Sequence, residues 1–240
     1  YNWAEGAQLI KSEIGKPIDF VFSSEIQYND IFKELYPNAK HKLIDPMRSQ
    51  VTISATTIRT EGVFKHWEFI PEFVRPYFVK KIVVVGTESC GKSTLTRNLA
   101  KIYNTTYVEE YGRTLCEELG GCDGIMVKED YQRIAYGHKM EEFKAIEKAN
   151  KLVFIDTEVI VTQFYSNLYN NEHQLVLDEI AKLQDYDLWL FLEPDVKWVN
   201  DGLRVHGEEK VRDQNNENLK TLLTKYDVDY KILSGNYEIR

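Results

Sequence analysis

No stretch of this sequence approaches the ~18 uninterrupted apolar residues that a membrane-spanning helix requires. Its first residues also lack the basic-then-apolar order of a signal peptide. A cytoplasmic protein with no membrane partner is expected. Cysteine is scarce. The three that occur, Cys90, Cys116 and Cys122, are odd in number and form no Cys-x-x-Cys pair, which argues against a disulfide framework and against a zinc site and leaves reduced thiols as the expectation. No dense Lys/Arg run offsets the formal net charge of −8. Such a chain repels polyanions, so nucleic acid is not expected as a partner and small molecules are favoured. Internal repeats and low-complexity segments are missing, which removes the solenoid folds.

An initiator Met is lacking too. Tyr1-Asn2-Trp3 enters at once into a helix-like pattern (Trp3, Ala7, Ile10, Ile14) with no cap before it, and on that ground the chain is expected to be a fragment of a longer protein.

With 240 residues and 43 % apolar content, the chain can bury one large core or two small ones. Its first part reads as a buried strand at 18–22, a short helix at 28–36, and a further short helix through Arg59 with Ser54 as its N-cap. The pattern breaks in FIPEFVRPYFV, Phe69 to Val79, whose two prolines mark a packed-down connection, and the domains are expected to be 1–75 and 76–240. Beyond it, strands at 81–85, 106–109, 152–156, 187–192 and 229–233 alternate with helical stretches at 92–102, 113–119, 129–150, 158–168, 173–184 and 213–225. That alternation predicts an α/β fold, a parallel sheet flanked by helices on both faces.

The stretch GTESCGKST, Gly86 to Thr94, follows the apolar run 81–85 and precedes a helical pattern (Leu95, Leu99, Ile102). In Gly-x-x-x-x-Gly-Lys-Ser the glycines, Gly86 and Gly91, let the backbone curl so that successive N–H groups converge on phosphate at a helix N-terminus. Lys92 reaches the outer phosphates of ATP, and Ser93 offers a hydroxyl to Mg²⁺. Cys90 reads as a small filler. The loop alone does not separate kinase from GTPase or ATPase, but the guanine-reading Asn-Lys-x-Asp and the Asp-x-x-Gly switch of Ras-type GTPases are both absent.

Four apolar residues, Leu152 to Ile155, end in Asp156. A carboxylate at that strand edge suits a metal site, and it equally suits an ordinary N-cap for the next helix. A kinase must exclude water and neutralise the charge that develops on the phosphates. The segment Asp201 to Arg212 has the composition of such a lid, with Arg204 and Arg212 as the cations, and it also reads as a solvated loop. After the second strand of the alternating region, Glu109, Glu110, Tyr111 and Arg113 cluster. A carboxylate there can bind a ribose hydroxyl or act as base, and the aromatic can stack on a heterocycle; a charged helix start is the alternative.

Taken together, Ile53-Ser54-Ala55-Thr56-Thr57-Ile58-Arg59, the phosphate loop, Glu110-Tyr111-Gly112-Arg113, Phe154-Ile155-Asp156-Thr157 and Trp198 through Arg204 resemble the bifunctional NadR family over nearly the whole chain. Its members combine nicotinamide-nucleotide adenylyltransferase with ribosylnicotinamide kinase. The resemblance implies a kinase domain that uses ATP and Mg²⁺ to convert nicotinamide riboside to NMN, preceded by the C-terminal part of a Rossmann-like nucleotidyltransferase domain. Lys92, Arg204 and Arg212 would meet the transferring phosphoryl group, with Gly86, Gly91, Lys92, Ser93 and Thr94 around ATP. Ser93 and Asp156 would hold Mg²⁺, and Glu110 or Asp156 would take the proton. Glu110, Tyr111, Arg113, Tyr169, Trp198 and Asp201 are the expected acceptor contacts, with Glu109 an added carboxylate.

Ser54 and Arg59 match the second nucleotidyltransferase signature, Ile-Ser-x-x-x-x-Arg, where the Ser binds ATP phosphates and the Arg stabilises leaving pyrophosphate. The family's first signature, of the type G-x-x-x-P-x-H-x-G-H, is absent, and none of His41, His66, His138, His173 or His206 lies in such a context. The chain is therefore expected to begin downstream of it. The rival expectations are a kinase for another nucleoside or small alcohol, and a non-catalytic sensor of ATP and pyridine nucleotide.

Overall fold

The computed structural model describes residues 2–122, 124–198, 208–236 and 239–240. It divides into two compact units, Tyr1–Phe69 and Ile70–Arg240, and the division lies inside the proline-bearing connection.

In the first unit, α1 (Trp3–Ile14) is capped after all: Asn2 Oδ1 accepts from the N–H groups of Ala4 and Glu5 at 3.1 and 3.3 Å. The cap is missed in the sequence because it lies directly at the first residues of the chain. Strand β1 (Phe20–Ser23) pairs in parallel with β2 (Lys40–Leu43), Phe20 opposite Lys40 and Ser23 opposite Leu43. Between them runs α2 (Asn29–Leu35), whose Phe32 meets Trp3, Tyr28 and Tyr36 edge-on. Strand β2, Lys-His-Lys-Leu, has no apolar alternation to announce it; its pairing with β1 makes it a strand. Helix α3 (Ala55–Glu61) starts where Ser54 Oγ accepts the Thr57 N–H at 2.9 Å, the N-cap read from the sequence.

The second unit opens with a 3₁₀ segment, Glu72–Phe78, and then alternates. Its elements are β3 (Lys80–Val85), α4 (Lys92–Ile102), β4 (Thr106–Val108), α5 (Tyr111–Leu119), α6 (Lys128–Glu147), β5 (Leu152–Asp156), α7 (Val159–Asn170), α8 (Leu175–Lys182), β6 (Leu188–Leu192), α9 (Glu209–Lys225) and β7 (Tyr230–Leu233). The five strands form one parallel sheet in the order β4-β5-β3-β6-β7, flanked by helices. Strand β3 is central, with Val83, Val84 and Val85 fully buried, as an apolar run covered on both faces must be. The chain leaves β3 toward β4 and β5 on one side and reaches β6 and β7 on the other. The carboxyl end of β3 is thus the topological switch point where such sheets bind ligands, and Gly86 to Thr94 sit there. Among the described residues no helix is long and apolar enough to cross a membrane.

Two further expectations are overturned. The strand expected to be buried, β1, has Phe20 and Phe22 exposed, because only β2 pairs with it among the described residues. Cys116 and Cys122 are joined in a disulfide, leaving Cys90 as the free, buried thiol. A Cys-x-x-x-x-x-Cys spacing carries no sequence signature. The pair forms because the chain reverses directly after α5.

Candidate active site

The phosphate loop is fixed by close backbone contacts. Gly86 has φ +150°, and a Cβ there would lie 2.7 Å from the Leu192 carbonyl oxygen and 2.8 Å from Cys90 Sγ, so no other residue fits. Lys92 opens α4 and is buried, its ammonium donating to the Thr87 carbonyl at 3.0 Å. Cys90 donates to the same carbonyl at 3.1 Å, and burial raises its thiol pKa, which suits a filler rather than a nucleophile. From outside, the Arg240 guanidinium bonds the carbonyls of Cys90 and Glu193 and pairs with Asp195, bracing the loop.

Asp156 ends β5 in register with Val84 and is buried. Burial, with the charge of Glu110 next, pushes its carboxyl up to about 6, against the pull of Lys92 and the hydroxyls of Ser93 and Thr157. Its Oδ2 has no hydrogen-bond partner among the described residues. The alternative reading of Asp156 as an N-cap is resolved, because the cap of α7 is Glu158. Its carboxylate accepts from Ile160 N at 2.8 Å and Val161 N at 3.1 Å. Burial nonetheless pushes Glu158 up to about 8, against those two N–H groups. Between the two carboxylates Thr157 adopts φ +72°, its N–H bonded to the Val84 carbonyl at 2.9 Å and its own carbonyl 3.0 Å from His138 Nε2. Because a carbonyl only accepts, His138 is the donor. Burial lowers the pKa of His138, which keeps the ring neutral.

A single cavity of about 310 Å³ runs from the phosphate loop to the residues after β4. The expected residues Gly91, Lys92, Ser93, Thr94, Glu110, Tyr111, Arg113 and Tyr169 all line it. Arg113 also pairs with Glu117 at 3.1 Å, one turn along α5. Glu109 does not line it; it is exposed and paired with Arg97 at 2.7 Å, because successive residues leaving a strand point to opposite sides. Trp198 is half-buried outside the cavity lining, where Lys197 takes part instead. Arg212, on the first turn of α9, donates to the carbonyls of Pro194 and Val196 at 2.8 and 3.2 Å and so ties down the chain after β6. Asp201 and Arg204 lie outside the described residues. In the first unit Arg59 bonds its neighbour Thr56 at 3.3 Å.

Other cavity residues are not among those expected from the sequence. Tyr165, four before the expected Tyr169 on α7, stacks on it with ring planes 17° apart and centroids 5.8 Å apart; such spacing also reads as core. The Tyr169 hydroxyl donates to Glu88, a variable position of the phosphate loop, and burial holds the phenol in its protonated form. Tyr131, in the first turn of α6, and His138, near its middle, also line the cavity; nothing in the helical pattern of this stretch singles them out.

The donor set of Asp156 Oδ2 and the Ser93 hydroxyl is hard oxygen, which fits Mg²⁺ shared with substrate phosphates. Among the described residues no group of three or more His, Cys, Asp or Glu could hold a metal by itself.

A loop of this shape at the switch point of a parallel sheet, with an acidic residue closing the adjacent strand, defines a phosphate-loop nucleotide-binding domain. Residues 81–240 match the family model described as an AAA domain, and the chain belongs to that family. It is also similar in sequence to NadR proteins. It is 33 % identical over 99 % of its length to the trifunctional NAD biosynthesis/regulator protein NadR of Escherichia coli (strain K12), and 34 % identical over 95 % to that of Salmonella typhimurium. The chain spans 58 % and 55 % of the lengths of these two relatives. Among solved structures, a NadR protein in complex with NR matches with a TM-score of 0.75 and 27 % identity, covering 99 % of this chain and 70 % of that one. A NadR protein in complex with NAD and AMP-PNP matches with a TM-score of 0.72 and 27 % identity, covering 98 % of this chain and 68 % of that one.

Proposed function

We propose that the second unit is an ATP-dependent kinase that phosphorylates the 5′-hydroxyl of nicotinamide riboside to give NMN. The observation that carries this reading is the one cavity that joins the phosphate loop to a compartment lined by a carboxylate and tyrosines. Phosphoryl transfer needs a donor and an acceptor held in line with little other chemistry, and such a cavity supplies positioning and charge. The likeness to a protein bound to NR and to one bound to AMP-PNP supports the same pair of ligands here.

In this reading Lys92 neutralises charge on the β- and γ-phosphates, and Ser93 and Asp156 would hold Mg²⁺, which would supply further positive charge to the phosphate oxygens. Glu110 or Asp156 accepts the proton as the riboside oxygen bonds to the γ-phosphorus and the bond to the ADP oxygen breaks. Tyr111, Tyr165 and Tyr169 offer faces to a cationic pyridinium. Arg113 lies at the same end, and Arg204, Asp201 and Trp198 remain candidates for the closed state, with Arg212 anchoring the segment that precedes them.

The domain assignment belongs to the same proposal: residues 1–75 as the C-terminal part of a nucleotidyltransferase domain, with Ser54 and Arg59 in its second signature, and 76–240 as the kinase. A longer protein containing both would also adenylylate NMN to NAD. The test is ADP release by the purified chain with ATP, Mg²⁺ and equal concentrations of nicotinamide riboside, uridine or cytidine, with the product identified by mass. Preference for nicotinamide riboside supports the reading. Preference for a neutral nucleoside assigns a different kinase, and nucleotide binding without turnover assigns a sensor.

A further inference from the structure

The turn after β5 contains a conformation that its own sequence does not favour. Thr157 is β-branched, yet it sits at φ +72°, in the left-handed region where a branched side chain crowds the backbone. Such a residue persists only when its surroundings over-determine it, and such residues gather at functional sites. Here the surroundings are few and identifiable. The N–H is held by the Val84 carbonyl of β3 at 2.9 Å, and the carbonyl is held by His138 Nε2 of α6 at 3.0 Å. The side-chain hydroxyl turns back to Asp156 Oδ1 at 3.4 Å. Immediately before Thr157 stands the carboxylate assigned to the metal and proton, and immediately after it stands the cap of α7, the helix that carries Tyr165 and Tyr169. The peptide that follows Thr157 therefore sets both how the Thr157 hydroxyl meets the Asp156 carboxylate and where α7 begins.

We propose that His138 is a positioning residue for phosphoryl transfer: by donating from Nε2 to the Thr157 carbonyl, it locks the left-handed turn that aims Asp156 at the phosphate loop. The inference rests on the kinase reading given above, since it needs Asp156 to act in the reaction. His138 suits the task because it sits in the middle of a twenty-residue helix, a rigid support, and is itself buried. Its ring reaches a carbonyl that no residue of β5 or α7 reaches among the described hydrogen bonds. Loss of the donor would free the peptide to rotate toward the ordinary right-handed or extended regions and displace the carboxylate. Displacements of about 1 Å at a reacting centre cost on the order of a hundredfold in rate.

The test combines kinetics with a spectroscopic readout. His138→Ala should lower kcat about tenfold or more, leave KM for ATP within about twofold, and remain folded by circular dichroism. His138→Gln, whose side-chain amide can donate to the same carbonyl, should recover most of the loss. In a Thr157→Gly background, where the left-handed turn needs no clamp, His138→Ala should have a much smaller effect on kcat. Long-range ¹⁵N–¹H spectra of the ligand-free wild-type chain should show the Nε2–H tautomer of His138. The proposal is overturned if the glutamine variant is as impaired as the alanine variant, if the loss is undiminished with Thr157→Gly, or if the ring carries its proton on Nδ1. Asp156→Asn in the same assay separates the two levels: an inactive wild type sinks the kinase reading and this inference with it, whereas full activity in Asp156→Asn leaves the kinase reading standing and sinks the inference. An impaired Asp156→Asn beside a fully active His138→Ala sinks the inference alone.

Discussion

Gly137 of α6 lies directly against the ring of Tyr111 at the start of α5, so closely that a Cβ at position 137 would overlap the ring carbons. The absence of a side chain on one helix thus sets the seat of an aromatic on the other, and that aromatic lines the cavity. Gly137→Ala should push the ring into the acceptor compartment. The expected outcome is a KM for the acceptor raised about tenfold with KM for ATP little changed, together with a loss of ~1–3 kcal/mol in stability from overpacking. Steady-state kinetics and denaturant unfolding read the two effects separately, and unchanged acceptor kinetics would show that the ring is not fixed from behind.

Lys92→Ala removes the cation at the mouth of α4. Because its ammonium donates to the Thr87 carbonyl, the loop loses one internal bond as well as its charge, but the turn imposed by Gly86 remains. Turnover should fall on the order of 10²–10³-fold, as when a preorganised charge that stabilises the transition state is deleted, while the thermal melt shifts by only a few degrees. Wild-type turnover in a folded variant would remove Lys92 from the mechanism.

Glu158 makes the chain's stability depend on pH in a definite direction. Its folded pKa rises from the ordinary 4.5 to about 8. Between those values the native chain holds a proton that the unfolded chain has released, so the stabilising contribution is full below about 4.5 and is lost as pH rises through about 8. Melting temperature should therefore fall from pH 5 to pH 8 more steeply in the wild type than in Glu158→Gln, which keeps a cap acceptor but does not titrate. Equal slopes in the two proteins would show that the carboxylate titrates elsewhere.

The disulfide gives a prediction about thiol count. Unfolded under non-reducing conditions, the chain should titrate one thiol, Cys90, and after reduction all three. Closing so short a loop stabilises by about 2 kcal/mol on the chain-entropy account. Reduction, or Cys122→Ser, should lower unfolding free energy by up to that amount, measured in urea with and without a phosphine reductant. Three thiols without reduction would mean that the sulfurs lie side by side unbonded.

What could be read from the sequence follows from which residues carry their own local reason. The strand at 80–85 and the loop after it were legible because apolar run, glycine spacing and helix start all concern neighbours in sequence. Ser54 was legible as a cap for the same reason. Strand β2, the clamp from His138 and the Cys116–Cys122 bond were not, because each depends on what tertiary structure brings alongside. Glu109 and Glu110 show the limit most clearly: two adjacent carboxylates, indistinguishable by composition, of which one lines the cavity and the other pairs with Arg97.

The central position of β3 has a consequence for how the chain acquires its fold. Its partners, β5 and β6, lie far along the sequence: Val84 is in register with Asp156 on one side and Leu190 on the other. A strand that can be completed only by partners so distant carries the loop-closure entropy of both crossovers before either pairing rewards it. During synthesis the phosphate loop must therefore wait, its flanking strand half-paired, until residues near 192 have left the ribosome. The exposed valines of β3 make that interval the stage at which nascent chains are most prone to aggregate.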